Sequence, residues 1–305
     1  MRHKVGLVTV ALGVFMLVAA PLVKWYLAPR TARAPMDQHS VTQAVSDGKS
    51  VVLDKATLKI RTGLTLLNRQ VVQGIGGSGS SKVATWKTLS RLTDADGAMI
   101  SATSGQVALD RVSGLAVNCC NEQLDGQQVR HEGLTFKFPF DTGKVSYPFY
   151  DGDTKRAWPM RFIGTQNTLG VSVYHFRQTI PATDVETLEA PFGLLGQPGE
   201  GSTVVHRYYE NVTDVLVEPT TGIIVRGASH QVQTLRDLQG KSLVTVADIN
   251  ASYTEATERE FASFAKSSAL QLRLVRWILP LLGLVLGLGL IGGGVFLTGA
   301  VARRR

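Results

Sequence analysis

All 24 Asp and Glu residues of this chain lie between Asp37 and Glu260, and each end is a long apolar run edged with Arg and Lys. That is the pattern of two membrane helices with an extramembranous domain strung between them. The first run, residues 5–27, is interrupted only by Lys24, and the second, residues 277–301, contains no charge. Each exceeds the roughly 20 apolar residues that a helix needs to cross the hydrocarbon core of a bilayer. The short tails, residues 1–4 and 302–305, carry Arg2, Lys4, Arg303, Arg304 and Arg305. The positive-inside rule therefore predicts both tails in the cytoplasm and residues 28–272 outside. Lys24, Arg30, Arg33, Arg273 and Arg276 fall on the outer side and oppose this orientation, but a domain of this size is translocated largely regardless of its charge.

A basic start followed by an apolar stretch also fits a secretory signal peptide. Two features favour an uncleaved anchor. The run is longer than a signal peptide requires, and the Ala32-Arg33-Ala34 triplet lies beyond Lys24 and Arg30, with Pro35 at the would-be cleavage point.

The formal net charge of +8 would suggest nucleic-acid binding if it were carried by the domain. Of the 32 Lys and Arg, however, ten lie within or beside the apolar ends, leaving 22 against 24 Asp and Glu between Met36 and Lys266. The central domain is slightly acidic, and the excess cations sit where they contact lipid head groups and fix topology. Nucleic acid is not expected as a partner.

The central segment is long enough for one large domain or two small ones. It carries no evident repeat, and most of it reads as strands: short runs rich in β-branched and aromatic residues, separated by Gly, Asn and Asp. Such runs include 63–73, 82–93, 98–103, 106–111, 160–164, 171–179, 203–209, 213–218, 222–228 and 242–247. Asp94-Ala-Asp-Gly97, Ser104-Gly105 and Pro219-Thr-Thr-Gly222 are read as turns joining them into antiparallel hairpins. The expected fold is β-rich (α+β): an antiparallel, sheet or barrel-like extracytoplasmic domain flanked by N- and C-terminal transmembrane helices.

Beyond Asn250 the pattern becomes helical. Ser252 or Thr254 can cap a helix whose first turn carries Glu255 and Glu258, followed by Phe261, Phe264 and Leu270. This helix is expected to run into the second span as a stalk, with a kink at Pro280. The second span holds Gly283 with Gly287, and Gly289 with Gly293, small pairs four apart that allow close helix approach. Their partner is either the first span, where Gly6 and Gly13 offer small faces, or another membrane protein; glycine is also simply common in membrane helices.

The two cysteines are adjacent, Cys119 and Cys120. In an oxidising compartment a bond between them would constrain almost no chain entropy, so its value lies elsewhere than in loop closure. A structural vicinal disulfide, covalent dimerisation and redox chemistry all remain open. Without a nearby pair of His, the two thiols do not make a zinc site.

Roughly a third of the aromatics fall in one stretch: Phe136, Phe138 and Phe140, then Tyr147, Phe149, Tyr150, Trp158 and Phe162. Alternation would place the three phenylalanines on one face of an extended strand. The cluster is either a hydrophobic core or an apolar groove for acyl chains in front of a bilayer.

Catalytic motifs fail on context. Gly74-Ile-Gly-Gly-Ser-Gly79 satisfies the dinucleotide fingerprint, but a strand-like run follows it where a helix N-terminus would have to hold pyrophosphate, so it is read as a hairpin tip. No G-x-S-x-G elbow is present, and His131-Glu132 lacks the second histidine of a zinc protease. His39, His175, His206 and His230 are scattered among strands, and nothing selects one for a Ser-His-Asp triad. No catalytic residue, metal or cofactor is expected.

Several segments carry a resemblance: Ala116-Val-Asn-Cys-Cys120, Val129-Arg-His-Glu-Gly-Leu-Thr-Phe-Lys-Phe-Pro-Phe140, Ala157-Trp-Pro-Met160, Tyr208-Tyr-Glu-Asn211 and Val217-Glu-Pro-Thr-Thr-Gly-Ile-Ile-Val225. Through them, and over nearly its whole length, the chain resembles an actinobacterial envelope family. Some members of that family carry the label porin PorA, and it includes the polar growth factor A proteins. The resemblance implies a plasma (inner) membrane protein with a periplasm-facing domain, tied to envelope lipid or glycolipid handling and polar growth. It also implies a lipid exporter or envelope-assembly proteins as partners. It supplies no catalytic residues. The porin label conflicts with two helical spans, because an outer-membrane barrel crosses with alternating strands and carries no apolar helices.

Three readings follow. The leading one is a non-enzymatic ectodomain that binds or passes envelope lipids; the second is a scaffold that positions partners through the glycine-rich span; an extracytoplasmic hydrolase or transferase, or a porin-like pore, comes third.

Overall fold

The computed structural model describes residues 2–55 and 57–302. Arg303, Arg304 and Arg305, on which part of the topology reading rests, lie outside the described residues. The chain forms two compact units, one from the terminal segments up to Arg33 and from Lys266, the other Ala34–Ala265.

In the terminal unit, helix α1 (Arg2–Leu22) continues through a π-helical turn, Val23–Leu27, into the short α2 (Ala28–Thr31). At the other end a π turn, Leu274–Ile278, leads into α4 (Leu279–Ala302). Each π turn sits just ahead of a proline, Pro29 or Pro280. A proline ring clashes with the carbonyl four residues back, here Trp25 or Arg276, and the wider π turn relieves that clash. The irregularity expected at Pro280 thus takes this form.

Helices α1 and α4 pack through small residues. A β-carbon on Gly287 would stand 2.9 Å from the Gly13 carbonyl oxygen and 2.9 Å from Leu17, and one on Gly13 would meet the Gly287 carbonyl at 2.7 Å. Gly294 meets Val10 and the Gly6 carbonyl in the same way, and Gly283 faces Ala20. The Lys24 ammonium lies 4.8 Å from the Trp277 ring centre. Residues turned away from this seam, such as Val8, Phe15, Val285 and Phe296, are exposed and apolar, as lipid-facing side chains must be.

The larger unit is built on one antiparallel sheet. Its strands are β1 (His39–Ser46), β2 (Ser50–Asp54), β3 (Lys59–Leu64), β4 (Leu66–Gly79), β5 (Val83–Asp94), β6 (Met99–Asp110), β7 (Gln123–Leu124) and β8 (Gln127–Gln128). The remainder are β9 (Tyr147–Asp151), β10 (Arg156–Thr168), β11 (Val171–Pro191), β12 (Ser202–Glu218), β13 (Ile223–Arg236) and β14 (Ser242–Tyr253). The order is β8-β7-β6-β5-β4-β1-β14-β13-β12-β11-β10-β9, with β2 pairing β14 and β3. The sheet is open, not a closed barrel; the loop region between its two ends carries isolated bridges, Leu109 to Ala116, Leu115 to Leu134 and Leu134 to Phe149. The β14–β1 pairing brings the two hairpin systems, one from each half of the sequence, into a single sheet.

Three expectations are corrected. The glycine run 74–79 is not a hairpin tip: it lies within β4, and the turn into β5 falls just after it, where the Ser80 and Val83 backbones bond each other. Ser104-Gly105 is not a turn: β6 runs straight through it, with Gly105 opposite Thr88 and Leu124. A β-carbon there would meet the Thr88 hydroxyl at 3.1 Å, so the glycine serves close approach inside the sheet. Phe136, Phe138 and Phe140 do not share a strand face either, because 135–140 is irregular. Gly133 precedes it at φ 70° and Asp141 follows at φ 55°, and Pro139 within it has no N–H for a ladder.

Helix α3 (Glu255–Arg273) is capped by Thr254, whose hydroxyl accepts the Thr257 N–H at 3.3 Å. Its first half packs Ala262 and Ala265 onto Val171, Val173, Leu216 and Val225. Arg226 fixes it with two bonds of 2.6 Å to the Glu258 carboxylate.

Candidate functional site

Period-two alternation gives the central sheet two unlike faces. On one, Gln43, Arg69 and Arg91 lie in register and exposed, as do Val212, His230 and Asn250. On the other, Thr42, Gln70 and Ser90 lie in register and half-buried, as do Thr213, Ser229 and Ala251, and Asn211, Gln231 and Ile249. This sheltered face is small and polar, and these residues belong to none of the buried clusters that form the core. Along β11 and β12 it turns apolar: Gln178 opposite Thr213 gives way to Phe176 opposite Val215.

Half of the eight sequence-predicted aromatics gather at that apolar end. Phe138 is fully buried with Leu134, Met160, Phe176, Val215 and Val217, and Tyr147, Phe149 and Phe162 pack on the margin. Ring centroids of Phe138 and Phe176 are 4.7 Å apart, and those of Phe138 and Tyr147 5.4 Å, so the rings fill one another's space. The others are dispersed. Phe136 joins Trp86 in a separate cluster, Phe140 lies under the Lys137 ammonium at 4.2 Å, and Trp158 donates to the Thr154 hydroxyl beneath Arg156.

Cys119 and Cys120 form a disulfide. They floor an open surface depression of roughly 520 Å³ lined also by Asn118, Asn121, Gln128 and Arg130. Asn118, Cys120 and Asn121 all adopt left-handed φ, between 55° and 66°. Beneath, the buried Glu122 carboxylate accepts the backbone N–H groups of Ala108 (3.2 Å) and His131 (3.1 Å) and lies 3.0 Å from His131 Nδ1. Gln106 Nε2 donates to the Cys120 carbonyl at 2.7 Å, tying the loop to β6.

Three further histidines of the sheet unit also find carboxylates: His175 with Asp214, His206 with Asp184 and His230 with Asp248. His206 comes nearest to a triad, with Thr187 at 3.2 Å and Asp184 at 2.8 Å, but both meet the same ring nitrogen, Nδ1. A proton relay needs them on opposite nitrogens. Asp151 accepts the Tyr209 hydroxyl at 2.8 Å, and burial followed by the nearby Asp151 charge holds the Asp153 carboxyl above its usual range, against Arg207. Among the described residues no group of three or more His, Cys, Asp and Glu could hold a metal ion.

A model of the family described as Porin PorA matches residues 5–296. The chain belongs to the Porin PorA family. Among curated relatives it is similar to a Porin PorA of Corynebacterium amycolatum, 30% identical over 145 residues, which cover 39% of this chain and 38% of that protein. A Porin PorA of Corynebacterium resistens is 29% identical over 110 residues, covering 30% of this chain and 27% of that protein. The aligned stretches thus span well under half of either relative. The PorA family match takes in both apolar helices as well as the sheet, and it agrees with membrane association of this chain.

Of the glycines singled out in the second span, Gly283 and Gly287 pack against α1, whereas Gly289 and Gly293 would meet nothing within 4 Å. Gly294, missed in the sequence, supplies the third close contact. Its spacing of seven from Gly287 matches the seven between Gly6 and Gly13 on the facing helix, a correspondence visible in the sequence once the two spans are set antiparallel.

Proposed function

We propose that this PorA-family protein is a non-enzymatic, membrane-anchored protein whose sheet unit lies outside the plasma membrane and binds or passes envelope lipids or glycolipids. The observation that carries the reading is the sheltered face of the sheet. It is half-buried without being packed into the core, polar at Asn211, Thr213, Ser229 and Gln231, and bordered by aromatics at Phe162, Tyr174 and Phe176. An amphiphile needs that succession: hydrogen-bonding partners for a head group beside apolar surface for a chain. The aromatic cluster serves as the wall of this surface and not as an empty groove.

The pore named in the family label needs a closed barrel if strands are to cross a membrane, since an open edge leaves backbone groups unpaired in lipid. The open sheet weighs against it here. A scaffold role has one specific support, the unoccupied small face at Gly289 and Gly293, onto which a partner helix could pack closely.

Titration of the Ala34–Ala265 unit with a fluorescent fatty-acyl lipid tests the reading. Ser229→Trp, which enlarges the sheltered face between Thr213 and Ala251, should abolish binding, and Val212→Trp on the exposed face should not. Equal binding by both variants, or none by the unaltered protein, would refute it.

A further inference from the structure

A bond between adjacent cysteines closes almost no loop, so little stability comes from it. Its geometric effect is local. It holds two sulfurs and two methylenes together as a small, polarisable patch that offers no hydrogen-bond donor, here half-buried in the lining of the depression. Around that patch stand Asn118, Asn121, Gln128 and Arg130, exposed and, among the described residues, without a side-chain partner. Three amides able both to donate and to accept, and one guanidinium that only donates, thus surround an apolar floor. The floor is fixed from below by Glu122 and Gln106.

A pyranose ring has the complementary surface: an apolar face of C–H groups and a rim of hydroxyls, each donor and acceptor at once. We propose that this depression is a saccharide-binding site in which the Cys119–Cys120 disulfide supports the C–H face of one sugar ring and the amides of Asn118, Asn121 and Gln128, with Arg130, bond its hydroxyls. One cation, Arg130, and one carboxylate, Glu122, already engaged by His131, line the depression, which suits it to neutral sugars more than to phosphate. The volume, roughly 520 Å³, is within the range of about 300–1,000 Å³ common for small-ligand sites. Being open to solvent, the site admits a unit of a glycan chain as well as the head group of a glycolipid. It goes beyond the lipid reading and does not depend on it.

The test is saturation-transfer NMR on the full-length protein in micelles of a non-sugar detergent. Maltotriose stands for a soluble glycan, and octyl glucoside below its micelle concentration for a glycolipid. Oxidised protein should transfer magnetisation to sugar C–H protons, with Gln128→Ala and Arg130→Ala each weakening maltotriose by about five- to tenfold, the loss of a hydrogen-bonding side chain. Reduction, or Cys119→Ser with Cys120→Ser, should remove the signal while binding of the fluorescent fatty-acyl lipid persists. Transfer to octyl glucoside alone would assign the site to head groups, and to maltotriose as well would assign it to glycans. Absence of transfer to either sugar, or transfer unchanged in the reduced protein and in both side-chain variants, overturns the proposal whatever the acyl probe does.

Discussion

Lys137 is a buried cation in the irregular segment beside the aromatic core. Its side chain is 9% exposed, its Nζ donates to the Phe138 carbonyl at 2.5 Å and lies over the Phe140 ring, and burial lowers its pKa to about 7 against the weaker pull of Asp110. In the unfolded chain the amine titrates near 10.4. Between these values the unfolded state binds the extra proton, so stability must rise as pH rises from 7 towards 10. From pH 7 to 9.5 a shift of this size gives a gain on the order of 3 kcal/mol, since each pH unit is worth about 1.4. Lys137→Met removes the titration and keeps the stem. The difference in Tm between the two proteins should therefore change by roughly 6–12 °C over that range, at about 2–4 °C per kcal/mol for a domain of this size. Near-UV circular dichroism melts in micelles at several pH values measure it, and subtraction removes tyrosines such as Tyr209 and Tyr253, whose buried hydroxyls titrate later. Parallel Tm curves for the two proteins would show that the ammonium is not desolvated as described.

Phe138→Ala should cost about 3–5 kcal/mol in denaturant unfolding, the range for a fully buried aromatic; a cost under 1 kcal/mol would mean that the ring is a ligand surface and not core. Gly287→Leu should destabilise the helical signal of the spans on heating in micelles, because its β-carbon meets the Gly13 carbonyl, whereas Gly289→Leu should leave it unchanged. Leu238→Cys, at a site 66% exposed, in protein whose native cysteines are serine, should react with a membrane-impermeant maleimide added to intact cells; labelling only after lysis would reverse the topology.

The parts of the fold set by local chemistry were readable from sequence. The two spans follow from apolar length, and the helix start from Thr254 with Glu255 and Glu258. Readings failed where a local signal was overruled by distant packing. Ser104-Gly105 has turn composition, but β5 and β7 on either side keep the backbone extended. Phe136, Phe138 and Phe140 alternate like a strand, but their rings are drawn to different cores and the backbone yields. The sheltered face was invisible because its Thr, Ser, Asn and Gln residues look like ordinary solvent-facing positions until the register of six strands brings them together. The pairing of Glu122 with His131 was hidden for a similar reason, since the β7–β8 hairpin closes the eight residues between them.

Native mass spectrometry of the Ala34–Ala265 unit released from its anchored form in cells measures the central claim most directly. Unaltered protein should show, beside the bare polypeptide, a species heavier by the mass of one amphiphile, and Ser229→Trp should lose that species while keeping its fold. A single peak at the polypeptide mass in the unaltered protein, or an adduct that Ser229→Trp retains in full, would contradict a lipid-carrying sheet.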